Sequence, residues 1–327
     1  MKKYIGCDLG GTNLRAAIVD VETGQVLHHM SIPTLAREGH AAVVERMADL
    51  FLQVIQTSGI SKEDIGGIGI GVPGVLDLEK GEVLFLPNLA GTWPHVPLKS
   101  TIEKLTAIPT TLLNDARSIT NGEWLFGAGS GVDTVAVFAI GTGIGGGLVI
   151  NKQLQLGIGG TAGELGHITV DFNGLRCGCG NYGCVEAYAS GPAITAMGLK
   201  AVTQGLTTSI ADLCENDLNR ITPELIAHAA LDGDAIAKDI YERAGFYIGI
   251  AAANISVAVG PRRIIIAGGV SQAGDLLLDP IRRTLRERVT VMPVDQVEVV
   301  QSRLGNNAGV IGVACWAAKQ LRTHKAI

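Results

Sequence analysis

Cys177, Cys179 and Cys184 place three thiols within one glycine-rich loop, and His167 stands shortly upstream. Three thiolates and an imidazole meet the tetrahedral preference of zinc, so the spacing predicts a Cys3His site. A disulfide between any two of the cysteines would strand the third and needs an oxidising compartment. Zinc held by four protein ligands has no open position for substrate, so its role would be structural. Glu164 precedes the histidine and Glu186 follows the last cysteine. A loop folded on a metal would fix both carboxylates, and paired carboxylates on a rigid frame suit the vicinal hydroxyls of a sugar. Without that frame each would be an ordinary solvated glutamate.

A second chemistry lies in two glycine turns. The run Asp8-Leu9-Gly10-Gly11-Thr12-Asn13 separates two short β-rich stretches, residues 4–7 and 14–19. Strand, glycine turn and strand read as a hairpin whose N–H groups, with Thr12 and Asn13, could hold phosphate oxygens. A plain hairpin turn is the competing reading. Asp8 at the strand end is where a magnesium ion beside phosphates would sit. The pattern recurs at residues 134–150, with Gly141-Thr142-Gly143-Ile144-Gly145-Gly146-Gly147 between a strand and a further strand at 148–150. This is a weak internal repeat and suggests two related domains. A dinucleotide-binding fingerprint would lead into a helix instead, and a P-loop needs a Gly-Lys pair that the chain lacks.

The elements that must position these groups alternate. Strands are expected at 25–33, 65–72, 83–86, 110–113, 262–267 and 297–300. Helices are expected at 39–58, 98–105, 116–126, 192–202, 209–216, 223–230, 234–259, 275–288 and from 306 to about 321. Residues 65–72 end in Pro73-Gly74, a loop able to bring backbone near a ligand. Asn114-Asp115 end the strand at 110–113, where open α/β sheets place their ligand crevice. Asp115 could equally be a helix N-cap. A third strand-to-glycine junction is Gly268-Gly269.

Composition bounds the rest. The chain has 327 residues, 47% of them hydrophobic and 17% charged, with 44 glycines and a net charge of −5. A large core is possible and disorder is not expected. The charge leaves no basic footprint for nucleic acid. No run is long and glycine-poor enough for a membrane span, and the N-terminal residues lack a signal-peptide pattern. The cytoplasm is the expected location, with Cys7, Cys214 and Cys315 as free thiols.

The residues Asp8 to Thr12, Asn114-Asp115, Gly141 to Gly147, Glu164-Leu165-Gly166-His167, Cys177 to Glu186 and Gly268-Gly269 together resemble the ROK family of repressors, open reading frames and sugar kinases. The resemblance spans nearly the whole chain, and the cysteine block is its most specific part. It implies an α/β chain with the two-domain actin-like/hexokinase ATPase fold, built of duplicated ribonuclease H-like units around an interdomain cleft. The expected domains are residues 1–116 with 308–327, and residues 117–307. It further implies ATP-dependent phosphorylation of a hexose. Asp115 would be the base, and Gly74, Asn88, Asn114, Asp115, Glu164, His167 and Glu186 would line the sugar. Asp8 would hold magnesium. Gly10, Gly11, Thr12, Asn13, Thr142 and Gly143 would surround the phosphates, with Gly268 and Gly269 at the adenosine. His167 would serve both zinc and sugar.

The segment Pro87 to Trp93 with Val96-Pro97-Leu98 resembles members that phosphorylate glucose, here at the 6-hydroxyl. N-acetylmannosamine, N-acetylglucosamine and fructose are the alternatives. Repressors of the family carry a helix-turn-helix ahead of the kinase-like region; the phosphate turn at Asp8 leaves no room for one. Asn306-Asn307 depart from the family, where many relatives carry an acidic residue. A homodimer or homotetramer is expected.

Overall fold

The computed structural model describes residues 2–86, 93–215 and 217–323. The chain forms two compact units: residues 1–131, 153–163 and 303–327 make the first, and residues 132–152 and 164–302 the second.

The first unit begins with β1 (Lys3–Leu9), β2 (Asn13–Asp20) and β3 (Gln25–Pro33), followed by α1 (His40–Ser58), β4 (Ile65–Val72), β5 (Val75–Asp77) and β6 (Glu82–Phe85). After α2 (Leu98–Thr106) come β7 (Thr110–Asn114) and α3 (Asp115–Phe126). Its main sheet has the order β3-β2-β1-β4-β7. The first three strands are antiparallel neighbours, while β1, β4 and β7 run parallel. Successive side chains of a strand face opposite sides. Accordingly Ile5, Cys7 and Leu9 join the core under α1, with Val43, Met47, Phe51 and Val54 of its apolar stripe. Tyr4 packs on the other face.

The second unit contains β8 (Val135–Ile140) and β9 (Ile144–Ile150); the two-residue β10 (Gln153–Leu154) follows in the chain. Then come α4 (Glu186–Ala189), α5 (Gly191–Thr203), α6 (Ile210–Leu213), α7 (Pro223–Leu231) and α8 (Ala235–Val259). β11 (Arg263–Ala267), α9 (Asp275–Arg288) and β12 (Glu298–Gln301) complete it. Within this unit the strands run β9-β8-β11-β12, with an antiparallel hairpin β8-β9 and parallel β8, β11 and β12. Hairpin plus two parallel strands repeats the β2-β1-β4-β7 pattern, so the internal repeat is one of topology.

The last helix, α10 (Ala308–Thr323), belongs to the first unit. It lies directly on β1 and β4 because those strands carry glycine there. A Cβ on Gly6 would fall 1.9 Å from the Val310 carbonyl oxygen, and one on Gly69 2.1 Å from that of Val313. α3 and α10 touch the same way, since a Cβ on Gly312 would fall 1.8 Å from the Ser118 carbonyl oxygen.

This packing explains two departures from expectation. The units divide near 131 and 302, not at 116 and 307, because α3 is bound to α10. Buried Glu123 of α3 also accepts the amides of Arg303 (3.2 Å) and Leu304 (2.8 Å). The second departure is the turn expected over 141–147. β9 starts at Ile144, and Gly145, Gly146 and Gly147 pair with Ala139, Phe138 and Val137. Glycines carry no side-chain alternation, so nothing in their sequence separates turn from ladder. Among the described residues, no helix is long and apolar enough to cross a membrane.

Candidate functional site

In the first unit three parallel strands bring their carboxyl ends to one edge. Asp8 of β1 is level with Gly71 of β4, and Val72 with Asn114 of β7. Asp8 lies on the same face as Tyr4 and Gly6, the face that carries α10. At the start of that helix, a Cβ on Gly309 would fall 3.9 Å from the Asp8 carboxyl carbon. Enclosure by the protein pushes Asp8 up from an ordinary 3.8 to about 6; the Asp115 carboxylate adds to the rise and Arg15, opposite on β2, opposes it. Two carboxylates thus share one neighbourhood, which favours a bound cation or a shared proton.

The start of α3 is capped by Asn114, not Asp115. Asn114 Oδ1 accepts the amides of Ala116 (3.0 Å) and Arg117 (3.3 Å), while its Nδ2 donates to the Gly74 carbonyl at 3.2 Å. Asp115 is the first helical residue, and its Oδ1 also accepts the Ala116 amide at 2.8 Å. Both residue types cap helices well, so adjacent Asn and Asp leave the choice open in sequence. Gly74, at φ 85°, turns the chain after β4 beneath this pair.

The first glycine turn closes with Gly10 N donating to the Asn13 carbonyl at 3.0 Å. Thr34 fastens its back: the hydroxyl donates to the Gly10 carbonyl (2.6 Å) and its amide to that of Thr12 (2.8 Å). Gly11, Thr12 and Asn13 remain exposed. Thr34 is absent from the sequence expectations, because it follows the third strand with no local motif.

In the second unit the equivalent turn is Gly141 to Gly143, closed by Gly141 N donating to the Gly143 carbonyl at 2.9 Å. Its exit is bound by Glu186, whose Oε2 accepts the Ile144 amide at 2.8 Å. Its entrance is bound by Gly191, whose amide donates to the Gly141 carbonyl at 2.8 Å. The Leu165–His167 helical turn packs on the same point, since a Cβ on Gly166 would fall 1.8 Å from the Ile144 carbonyl oxygen. Gly268, at φ 85°, follows β11 at this edge; a Cβ there would meet the Ile140 carbonyl oxygen at 2.2 Å. Glu224 of α7 faces Gly269, an approach the sequence does not signal.

His167, Cys177, Cys179 and Cys184 place one donor atom each within 4.8 Å of one another. Cys179 Sγ is 3.7 Å from Cys184 Sγ, and Cys177 Sγ is 3.7 Å from His167 Nδ1. Zinc–sulfur bonds of about 2.3 Å in a tetrahedron give edges of about 3.8 Å, so this donor set fits such an ion. The knuckle is shaped by backbone bonds from Cys177 N to the Asn181 carbonyl and from Gly180 N to the Cys177 carbonyl, with Gly180 at φ 95°. Burial pushes the Cys177 thiol up to about 12. Glu186 Oε1 lies 3.6 Å from Cys177 Sγ, so this carboxylate spans from the cysteine cluster to the glycine turn.

The first unit therefore gathers Asp8, Gly10 to Asn13, Gly74, Asn114 and Asp115. The second gathers Thr142, Gly143, Glu164, His167, Glu186 and the cysteines, with Gly268 and Gly269 at the same strand edge. Asn88 lies outside the described residues. Asn306 and Asn307 form the helical turn ahead of α10, close in sequence to the Gly309 that meets Asp8.

A hairpin-led sheet repeated twice, each copy with a glycine turn in its hairpin, is the architecture of the actin-like ATPase fold that includes hexokinases. The ROK family model matches residues 4–320. The chain belongs to the ROK family. It is 36% identical over 318 residues to the glucokinase of Halalkalibacterium halodurans, covering 97% of this chain and 95% of that protein. The ROK family glucokinase from Streptomyces griseus in complex with glucose and AMPPNP superposes with a TM-score of 0.84 at 34% identity, over 97% of this chain and 99% of that one. The xylose repressor of Caldicellulosiruptor bescii is 30% identical over 308 residues, 94% of this chain and 76% of that protein.

Proposed function

We propose that the protein is a glucokinase, transferring the γ-phosphoryl group of ATP to the 6-hydroxyl of glucose. The observation that carries this is the meeting of Asp8, Asn114 and Asp115 at the carboxyl edge of β1, β4 and β7. Likeness to two bacterial glucokinases over nearly the whole chain supports the substrate. Phosphoryl transfer needs alignment and charge neutralisation more than covalent help. Asp115, aimed by the Ala116 amide, accepts the proton of the attacking hydroxyl, a role typically worth ~10²–10⁴-fold. Gly74, Asn88, Asn114, Glu164, His167 and Glu186 would bind sugar hydroxyls, as the family resemblance implies.

Asp8 would hold magnesium, which neutralises phosphate charge when bound. The turn residues Gly10 to Asn13, with Thr142 and Gly143, would surround the phosphates, offering phosphate oxygens the amides and hydroxyls that do not close the turns. Gly268 and Gly269 would lie at the adenosine, as the family resemblance implies. His167, Cys177, Cys179 and Cys184 would hold a structural zinc, which keeps the loop folded. Thiol ligands fit a reducing compartment such as the cytoplasm. Family membership supports a homodimer or homotetramer, which light scattering would resolve.

The test is ADP release with Mg-ATP across glucose, fructose, mannose, N-acetylmannosamine and N-acetylglucosamine. Glucose should give the highest kcat/KM, and Asp115→Asn should lose ~10²–10⁴-fold in kcat while still binding sugar. Absence of sugar-dependent turnover would defeat the kinase reading. Sugar binding without turnover would favour the regulatory role suggested by likeness to the xylose repressor.

A further inference from the structure

Arg117 heads the fully buried side chains, with 1% of its surface exposed. An enclosed guanidinium is costly unless its donors are used. Here Nη1 donates to Asn114 Oδ1 at 2.8 Å, and Nε donates to the Ala162 carbonyl at 2.9 Å. Its backbone amide reaches the same Asn114 oxygen, which also takes the Ala116 amide. With three donors on Oδ1, the Asn114 amide has one orientation open to it, and Nδ2 must face the Gly74 carbonyl.

The Nε contact adds to the bonds of a loop segment in which the Ala162 amide donates to the Leu156 carbonyl (2.8 Å) and the Thr161 hydroxyl to that of Ile158 (2.8 Å). Residues 155–163 include Gly157, Gly159, Gly160 and Gly163, all at positive φ, so this stretch has much backbone freedom to lose. Its last residues lead directly into Glu164. One planar side chain therefore fixes the cap that presents Asn114 and Asp115, and also the chain that delivers Glu164.

We infer that Arg117 is a positioning residue for the sugar: it sets the Asn114 amide and pins the 155–163 segment through Ala162. This rests on the hexose reading given above. The geometry makes Arg and Lys unequal here, because an ammonium is a point donor and cannot serve both acceptors in the plane of a fork.

Arg117→Gln and Arg117→Lys are each compared with the intact protein by calorimetric titration of glucose and, separately, of Mg-AMPPNP, with hydrogen exchange over residues 155–163. The expected result is glucose affinity weakened about tenfold or more in Arg117→Gln, the size of one lost charged hydrogen bond. Nucleotide affinity should stay within about twofold, and amide exchange across 155–163 should rise in both variants. Arg117→Lys keeps the buried charge and should recover part of the glucose affinity. It also serves if the glutamine variant does not fold.

Unchanged glucose affinity in the variants would overturn the inference. So would an equal loss for glucose and nucleotide with a lowered melting temperature, the sign of a merely structural role. If the intact protein bound no hexose, the kinase reading would fall. The anchoring of 155–163 would still stand or fall on the exchange rates.

Discussion

At the scale of single residues, Asp8 sets a pH dependence with a definite sign. Its carboxyl rises from 3.8 to about 6 through enclosure, then through Asp115, against the pull of Arg15. Below pH 4 both folded and unfolded chains hold the proton, and Asp8 costs nothing. Between about pH 4 and 6 the unfolded chain releases it first, so stability falls as pH rises; above 6 the penalty is constant. A two-unit rise in a partly solvated group corresponds to about 1–2 kcal/mol after screening. Asp8→Asn should therefore melt higher than the unchanged protein at pH 7.5 in chelator, and equally at pH 3.5. A constant difference at both pH values would count against the raised carboxyl. Asp8 and Asp115 were legible in the sequence because each ends a strand beside a glycine or a helix start. Arg117 and Thr34 were not, because a buried polar residue is written like an exposed one until its partners, distant in sequence, are known.

Elements carry the next argument. The glycine turn of the second unit is held by Glu186, the first residue of α4, and by Gly191, the first of α5. Gly166 sets the Leu165–His167 turn against the same backbone. Gly166→Ala would push a methyl group into the Ile144 carbonyl, an overpacking that costs about 1–3 kcal/mol. Thermal unfolding should show the loss, and an unchanged melting temperature would mean that the two segments are not in contact. Glu186→Ala leaves the Ile144 amide without its acceptor, a cost of about 1–3 kcal/mol if water cannot replace it. In turnover assays its KM for ATP should rise as well as its KM for glucose. A rise for glucose alone would confine Glu186 to the sugar. Helices with regular apolar stripes were legible to within a residue or two, as α1 and α9 show. The strand expected at 83–86 is β6, but its partner β5 and the start of β9 were not legible, since short or glycine-rich strands have no periodicity to read.

The whole molecule is a doubled design with separate cores. Ile5, Met47, Phe51 and Ile70 belong to a cluster of the first unit, and Phe138, Ile248, Ile266 and Leu277 to one of the second. The glycine turns suggested the doubling in sequence, and the family resemblance implied that residues 308–327 return to the first unit; what was hidden is how they return, on glycines in β1 and β4 that read only as weak strand residues. All four metal donors lie in the second unit. Metal bound to the folded form alone stabilises the structure that holds it by mass action. Chelation should therefore raise hydrogen exchange first in residues 164–190 and in the Gly141 to Gly143 turn that Glu186 and Gly191 hold. Residues 43–55 of α1 should keep their protection. Metal analysis of the intact protein should give about one equivalent per chain for a single tetrahedral site, and Cys179→Ser should lose most of it. Equal loss of protection in both units on chelation would mean that the metal supports the whole chain and not one unit. Full metal retention by Cys179→Ser would remove that thiol from the site.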